Sequence, residues 1–321
     1  MLQRHKTIRP QRDIPLFCLQ ADRMPPERKI AMKKRPLSLL LILCLCAALL
    51  PVTALAAETI VTNEKDLRTA LSTGGTVKLR ENIKLAAALE IDNTVTLDLN
   101  GYEIARGEYV GEINAVNIKD GGHLTLTDSS NESGVISNFD GSVHVLAGGT
   151  FTMNGGRLLA GVAHGSGIGA QGGGVLVDAG GLFVMNGGSI ENCWANGEGG
   201  GVYVASSGTF EMSGGSIENC YIVQEGNGGG VYVDVFQDTA FNMTGGTIKN
   251  CTADGKGAGI YVADGATATL ITANITGNTK TGGEEDNITA PGGYKEYEPP
   301  ADPVDPDYPL ISILPALAKD L

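Results

Sequence analysis

Tyr203, Tyr232 and Tyr261 hold the same place in three successive copies of a Val/Ile-x-Val segment, and Cys193, Cys220 and Cys251 close three copies of Gly-Gly-x-Ile-x-Asn-Cys. A strip of phenol rings with apolar faces and polar tips suits contacts with sugars or protein surfaces. Tyrosine also stacks well on a sheet surface with no ligand at all. Trp194 and Tyr221 follow two of the cysteines and open the turns WANGEGGG and YIVQEGNGGG. Glu198, Glu225 and Asp254 lie in these turns and the next, where they form either an interaction edge or solvated turns. Ca2+ is the one ion they could draw, but it takes about 6–8 oxygens, and no D-x-D-x-D or GGxGxD run is present. The cysteine column lacks the CxxC spacing or fourth ligand of a zinc site. Neighbouring thiols at strand spacing would bridge only with strain, so they read as small buried hydrophobes.

The elements that must position these residues follow from an internal repeat. GGGVLVDAGGLFVMNGGSIENC (172–193), GGGVYVASSGTFEMSGGSIENC (199–220) and GGGVYVDVFQDTAFNMTGGTIKNC (228–251) align, with weaker copies at 114–138, 141–161 and 257–278. The anchors Met153, Met185, Met212, Met243 and Leu270 lie 32, 27, 31 and 27 residues apart. Each unit reads as three short strands, V-x-V, F-x-M and G-G-x-I-x-N, whose apolar residues alternate so that one face is buried. Three strands per unit with no helix between them are best wound as successive coils, each paired in parallel with the next. That is a right-handed parallel β-helix over 58–280. Equivalent residues then form columns: Val, Phe, Met and Ile inside, Asn138, Asn192, Asn219 and Asn250 as an amide ladder at a turn, and Asn117, His144, Leu176 and the three tyrosines facing out. A short helix caps the N-terminal end, with Asn63 as N-cap, Leu67, Ala70 and Leu71 on its apolar face and Gly74 as its stop.

Composition agrees. Glycine is 46 of 321 residues and aromatics are 5%, which argues against a helical bundle because glycine costs about 1 kcal/mol at a helix-interior site. Residues 1–56 carry 10 of the 23 basic and 3 of the 36 acidic residues, leaving 13 against 33 from Ala57 onward, a net of −20. Such a chain repels nucleic acid and anionic lipid. Residues 1–31 are basic and aperiodic and read as a non-native or disordered extension, with Met24 or Met32 the more sensible start. In 32–57 a basic Met-Lys-Lys-Arg, an apolar run at 37–50 and Ala54-Leu55-Ala56 form a signal peptide cleaved near Ala56. The chain is therefore expected outside the cell or on its surface. Residues 281–321 read as an acidic Pro/Gly-rich linker and tail. The apolar LISILPALA near the end is too short to span a membrane, so no membrane insertion of the mature chain is expected.

The GGSIENC, GGGVYV and GTFEMSGG strings resemble the repeats of secreted bacterial parallel β-helix proteins, adhesin-like members of the pectate-lyase-like superfamily. The FTMN–GG and FVMN–GG strings are similar to repeats of polymorphic outer-membrane proteins. The resemblance covers about 58–280 and implies a non-catalytic module binding a host or environmental glycan or a surface protein. It leaves open a polysaccharide lyase or glycoside hydrolase, or a structural spacer of a larger surface protein. A lyase of that type would need a carboxylate cluster for Ca2+ and an Arg or Lys base on one face. Of Arg68, Arg80, Arg106 and Arg157, Arg68 falls in the cap helix, and Arg157 faces out in a column with Ser189, Ser216 and Thr247 that no acidic cluster shares. The nearest catalytic grouping is Arg106, Asp98, Asp120 and His123. With catalytic residues and metal ligands assigned to none, Tyr203, Tyr232, Tyr261, Trp194 and Tyr221 are the candidate ligand-binding residues.

Overall fold

The computed structural model describes residues 58–297 except 109–113, 131–132, 165–169, 236–237 and 292. The extension at 1–31, the signal segment at 32–57 and the tail beyond 297 lie outside the described residues. Within them the chain winds as a parallel β-helix. Ten-, eight-, eight- and five-stranded sheets run along it, and every pairing between strands of these sheets is parallel. Each coil passes in turn through a Val strand such as Val202–Val204, a Phe–Met strand such as Thr209–Met212 and an Ile strand such as Ser216–Glu218, and five coils add a two-residue strand such as Tyr221–Ile222.

The fourth strand is a departure from the three-strand expectation. Pairs such as Trp194–Ala195 are too short to show alternation, yet they stack as a sheet of their own. Their inward residues Ala163, Ala195, Ile222 and Ala253 form a small second core with Ala258. The ladders also run past 280. Ile288–Thr289 pairs with Ile260–Val262, and Lys295–Tyr297 with Thr267–Ile271, so a last partial coil is made from glycine-rich sequence that reads as linker.

In-register pairing places like on like. Phe183 lies opposite Phe151 and Phe210, and Met185 opposite Met153 and Met212. The phenylalanine rings stack with centroids 4.6–5.0 Å apart from Phe151 to Phe241. Such pairs add about 0.5–1.5 kcal/mol each beyond area burial. The helix α1 (Glu64–Thr73) covers the N-terminal end. Asn63 accepts from the Asp66 amide at 3.0 Å, Gly74 ends the helix at φ 82°, and Leu67, Ala70 and Leu71 are buried. Among the described residues no helix is long and apolar enough to cross a membrane.

The asparagine column has a different cause from an amide ladder. Asn192, Asn219 and Asn250 have φ of 53–55°, the left-handed region that Asn tolerates better than most residues. Their side chains are exposed. The thiols of Cys193, Cys220 and Cys251 are free and buried. Hydrogen bonding to Cys220 together with burial pushes the Cys193 thiol up, and burial does the same to Cys220.

The Gly-Gly-Gly before the strands that start at Val175, Val202 and Val231 is fixed by space. A Cβ on Gly201 would lie 2.6 Å from the Gly230 carbonyl oxygen, 2.8 Å from Ile217 Cγ2 and 3.3 Å from Cys220 Sγ. Gly174 and Gly230 meet the Cys193 and Cys251 sulfurs in the same way. Gly201→Ala is therefore expected to cost about 1–3 kcal/mol through overpacking, and Phe210→Ala about 3–5 kcal/mol through the cavity it leaves. Urea denaturation followed by circular dichroism measures both. A Gly201→Ala midpoint equal to that of the unaltered chain would contradict the close approach.

Candidate functional site

Register confirms the outward column of the Val sheet. Asn117, His144, Leu176, Tyr203, Tyr232 and Tyr261 are successive partners. Glu90 precedes them and Thr289 follows. The tyrosines are less open than a binding strip requires. Tyr203 is 6% exposed, while Tyr232 and Tyr261 are half-buried. Their rings stack at 5.2 Å, with planes 4° and 17° apart. Each interior ring face is thus covered by its neighbour, and the ladder shows only edges and hydroxyls. Burial, with the Asp234 carboxylate nearby, holds the Tyr203 phenol above its ordinary range. Burial with Glu198 and Asp234 does the same for Tyr232.

The second aromatic pair is more accessible. Trp194 and Tyr221 are register partners on the five-stranded sheet. Their centroids lie 6.1 Å apart at 19°. Tyr221 is 39% and Val223 49% exposed, both pointing away from the small alanine core. His164 meets Trp194 edge-on at 6.2 Å. His164 Nε2 also lies 3.3 Å from Asp140 Oδ1, and Arg106 Nη1 donates to the two oxygens of the same carboxylate at 2.8 and 2.7 Å.

Asp140 in turn lines a cavity of about 150 Å3 with Asn114, Gly141, Val143, His144, Ala163, Gln171, Gly172 and Leu176. On another wall His144 Nε2 lies 2.9 Å from Asp178 Oδ2. Asp140, His164, Trp194 and Tyr221 therefore follow one another in contact from the edge of the cavity. The sequence singles out Trp194 and Tyr221 as candidates but not the cavity, because Asp140 and Gln171 lie in turns that differ from the repeat. The visible signal was Leu176, the one apolar residue in the outward column.

No protein-family model, curated protein or solved structure matches the chain. The chemistry of the surface has to be read from its own residues.

The turn acids divide. Glu198 accepts from the Asn227 amide and, at 3.3 Å, from Asn227 Nδ2. Asn227 Oδ1 accepts from the Lys256 amide at 2.7 Å, so these side chains staple one coil to the next. Glu225 and Asp254 are exposed. Among the described residues no three His, Cys, Asp or Glu side chains are arranged to hold a metal ion.

The four N-terminal residues considered for catalysis are dispersed. Asp98 ends the strand Thr94–Asp98, held by Lys78 at 3.0 Å and by the Ser129 amide at 2.8 Å. His123 pairs with Thr94, at the opposite end of that strand. Asp120 lies in the turn before His123, and Arg106 is on the Ile sheet with Asp140. Arg157 is paired with Glu191 at 2.9 Å.

Burial raises the Glu198 carboxyl above the usual range, outweighing the Asn227 hydrogen bonds. A raised folded pKa contributes stability that is present below the unfolded value, about 4.3, and is lost as pH rises through the folded value. Glu198→Gln keeps an acceptor for Asn227 and removes the charge. It is expected to be more stable than the unaltered chain at pH 7 and equal to it near pH 4, read from thermal midpoints across that window. A gap that widens toward acid would reverse the assignment.

Proposed function

We propose that the chain is a secreted or cell-surface, non-catalytic binding solenoid of adhesin-like character, related to the pectate-lyase-like β-helix proteins, and that its ligand is a neutral glycan. The observation that carries this reading is the chain of contacts from the cavity, through Asp140 and His164, to the half-buried Trp194 and the exposed Tyr221 stacked on it. Aromatic faces beside hydrogen-bonding groups suit sugars, which have apolar ring faces and hydroxyl rims. The charge selects among sugars. Asp140 at the cavity is paired with Arg106, but the chain from Ala57 is strongly acidic, so uronic-acid polymers are disfavoured by its overall field. Export rests on the signal segment at 32–57.

The contribution of each predicted residue follows from its surroundings: Tyr221 is exposed and Trp194, half-buried, stands beside His164. Trp194 and Tyr221 bind; Tyr203, Tyr232 and Tyr261 support the neighbouring wall and offer hydroxyl edges. Incubating the full chain with neutral and acidic polysaccharides, with and without Ca2+, and following polymer size and co-elution by gel filtration tests the proposal. Co-elution with a neutral polymer of unchanged size is expected, weakened about tenfold or more in Trp194→Ala/Tyr221→Ala. A fall in polymer size would show a lyase or hydrolase. Absence of co-elution would leave a protein ligand or a spacer.

A further inference from the structure

The tyrosine ladder stops where the cavity begins. Leu176 pairs with Tyr203 on one side and His144 on the other, so this coil lacks the ring that the next three carry. The space is about 150 Å3, the volume of a cavity that takes up benzene, so a pyranose ring enters it with its substituents directed toward the mouth.

Its walls are of two kinds. Val143, Ala163 and Leu176 supply an apolar side. Asn114, Asp140, His144 and Gln171 supply polar groups, and several of these are already oriented. Arg106 and His164 hold Asp140, Asp178 holds His144 through Nε2, and Asn114 Nδ2 donates to Asn117 Oδ1 at 3.1 Å. The Gln171 side chain makes no hydrogen bond among the described residues, so a donor and an acceptor on one amide are uncommitted. Asn114 Oδ1 likewise receives no donor there.

We infer that this cavity is a subsite for a single neutral pyranose ring, the terminal residue of the glycan, which occupies the position of the missing ladder ring beside Leu176. The inference rests on the glycan reading above. A hydrocarbon ring of the same size would leave Gln171 and Asn114 desolvated and unpaired. A uronate would bring its carboxylate beside Asp140 and into the field of a strongly acidic chain. A neutral sugar stacks an apolar face on the aliphatic side and exchanges hydroxyl hydrogen bonds with the amides. The remaining residues of the glycan then leave past His164 toward Trp194 and Tyr221.

Saturation-transfer NMR and titration of the full chain with methyl glucoside, methyl galactoside, methyl mannoside and N-acetylglucosamine test it, with galacturonate as the charged comparison. At least one neutral monosaccharide is expected to bind with a Kd of about 0.1–10 mM, and galacturonate more weakly. Leu176→Tyr extends the ladder into the cavity and should lower that affinity at least tenfold with the thermal midpoint retained. Gln171→Ala, at a half-buried turn position, should weaken it severalfold and serves if Leu176→Tyr does not fold. Polymer co-elution without any monosaccharide binding would overturn the subsite and leave the glycan reading standing. Loss of both would overturn both. Monosaccharide binding unchanged in Leu176→Tyr and Gln171→Ala, or stronger binding of galacturonate, would place the ring elsewhere and overturn the inference.

Discussion

In a parallel ladder every residue lies about 4.8 Å from its counterpart one coil away, and side chains at that spacing must either match or leave a gap. The phenylalanine stack, the methionine column and the tyrosine ladder are all solutions to this one constraint. So are the glycines. Where a strand is followed by a turn that folds back on the next coil, a backbone carbonyl occupies the place of a Cβ, as Gly230 does beside Gly201. The repeat in the sequence is therefore a consequence of contact between copies, because a change in one coil is felt first by the same position in its neighbours.

The same constraint generates the site. A ladder of identical rings is closed to ligands, since each ring covers the next. A column that changes residue type opens space, and it does so at Leu176, between His144 and Tyr203. Two neighbouring turns depart from the repeat beside it and bring Asp140 and Gln171 to the opening. On the adjacent short sheet, Ala195 and Ile222 bury their methyl groups inward, which turns Trp194 and Tyr221 outward, the first half-buried and the second exposed. Regularity supplies the rigid wall, and one irregular coil supplies the chemistry.

How much of this was legible in the sequence depends on the length over which a pattern repeats. The V-x-V, F-x-M and G-G-x-I-x-N alternations gave the coils and their register to the residue, and Asn63 to Gly74 gave the capping helix. The two-residue strands were not legible, since Trp194–Ala195 has too few residues to show a period. The partial coil at 281–297 was hidden by its glycines, which read as a linker although Gly282, Gly283 and Gly293 adopt turn conformations at positive φ. Columns told which residues share a face but not how deeply that face is covered. Tyr203 therefore read as exposed, although its ring stacks on Tyr232 and lies beside Asp234. The cavity depends on Asp140, Arg106 and His164 meeting from three separate coils, a convergence that no local pattern encodes.

The phenylalanine column also has an end. Phe241 is partnered not by a fifth ring but by Ala268, Met243 by Leu270, and Ile248 by the only partly buried Ile275. The core tapers toward the C-terminus, so the free energy that holds a coil to its neighbour falls in the same direction. A one-dimensional stack with such a gradient opens from its soft end, coil by coil, rather than everywhere at once. Three tyrosine coils separate that end from Leu176, so fraying can consume the last coils while the cavity keeps its walls.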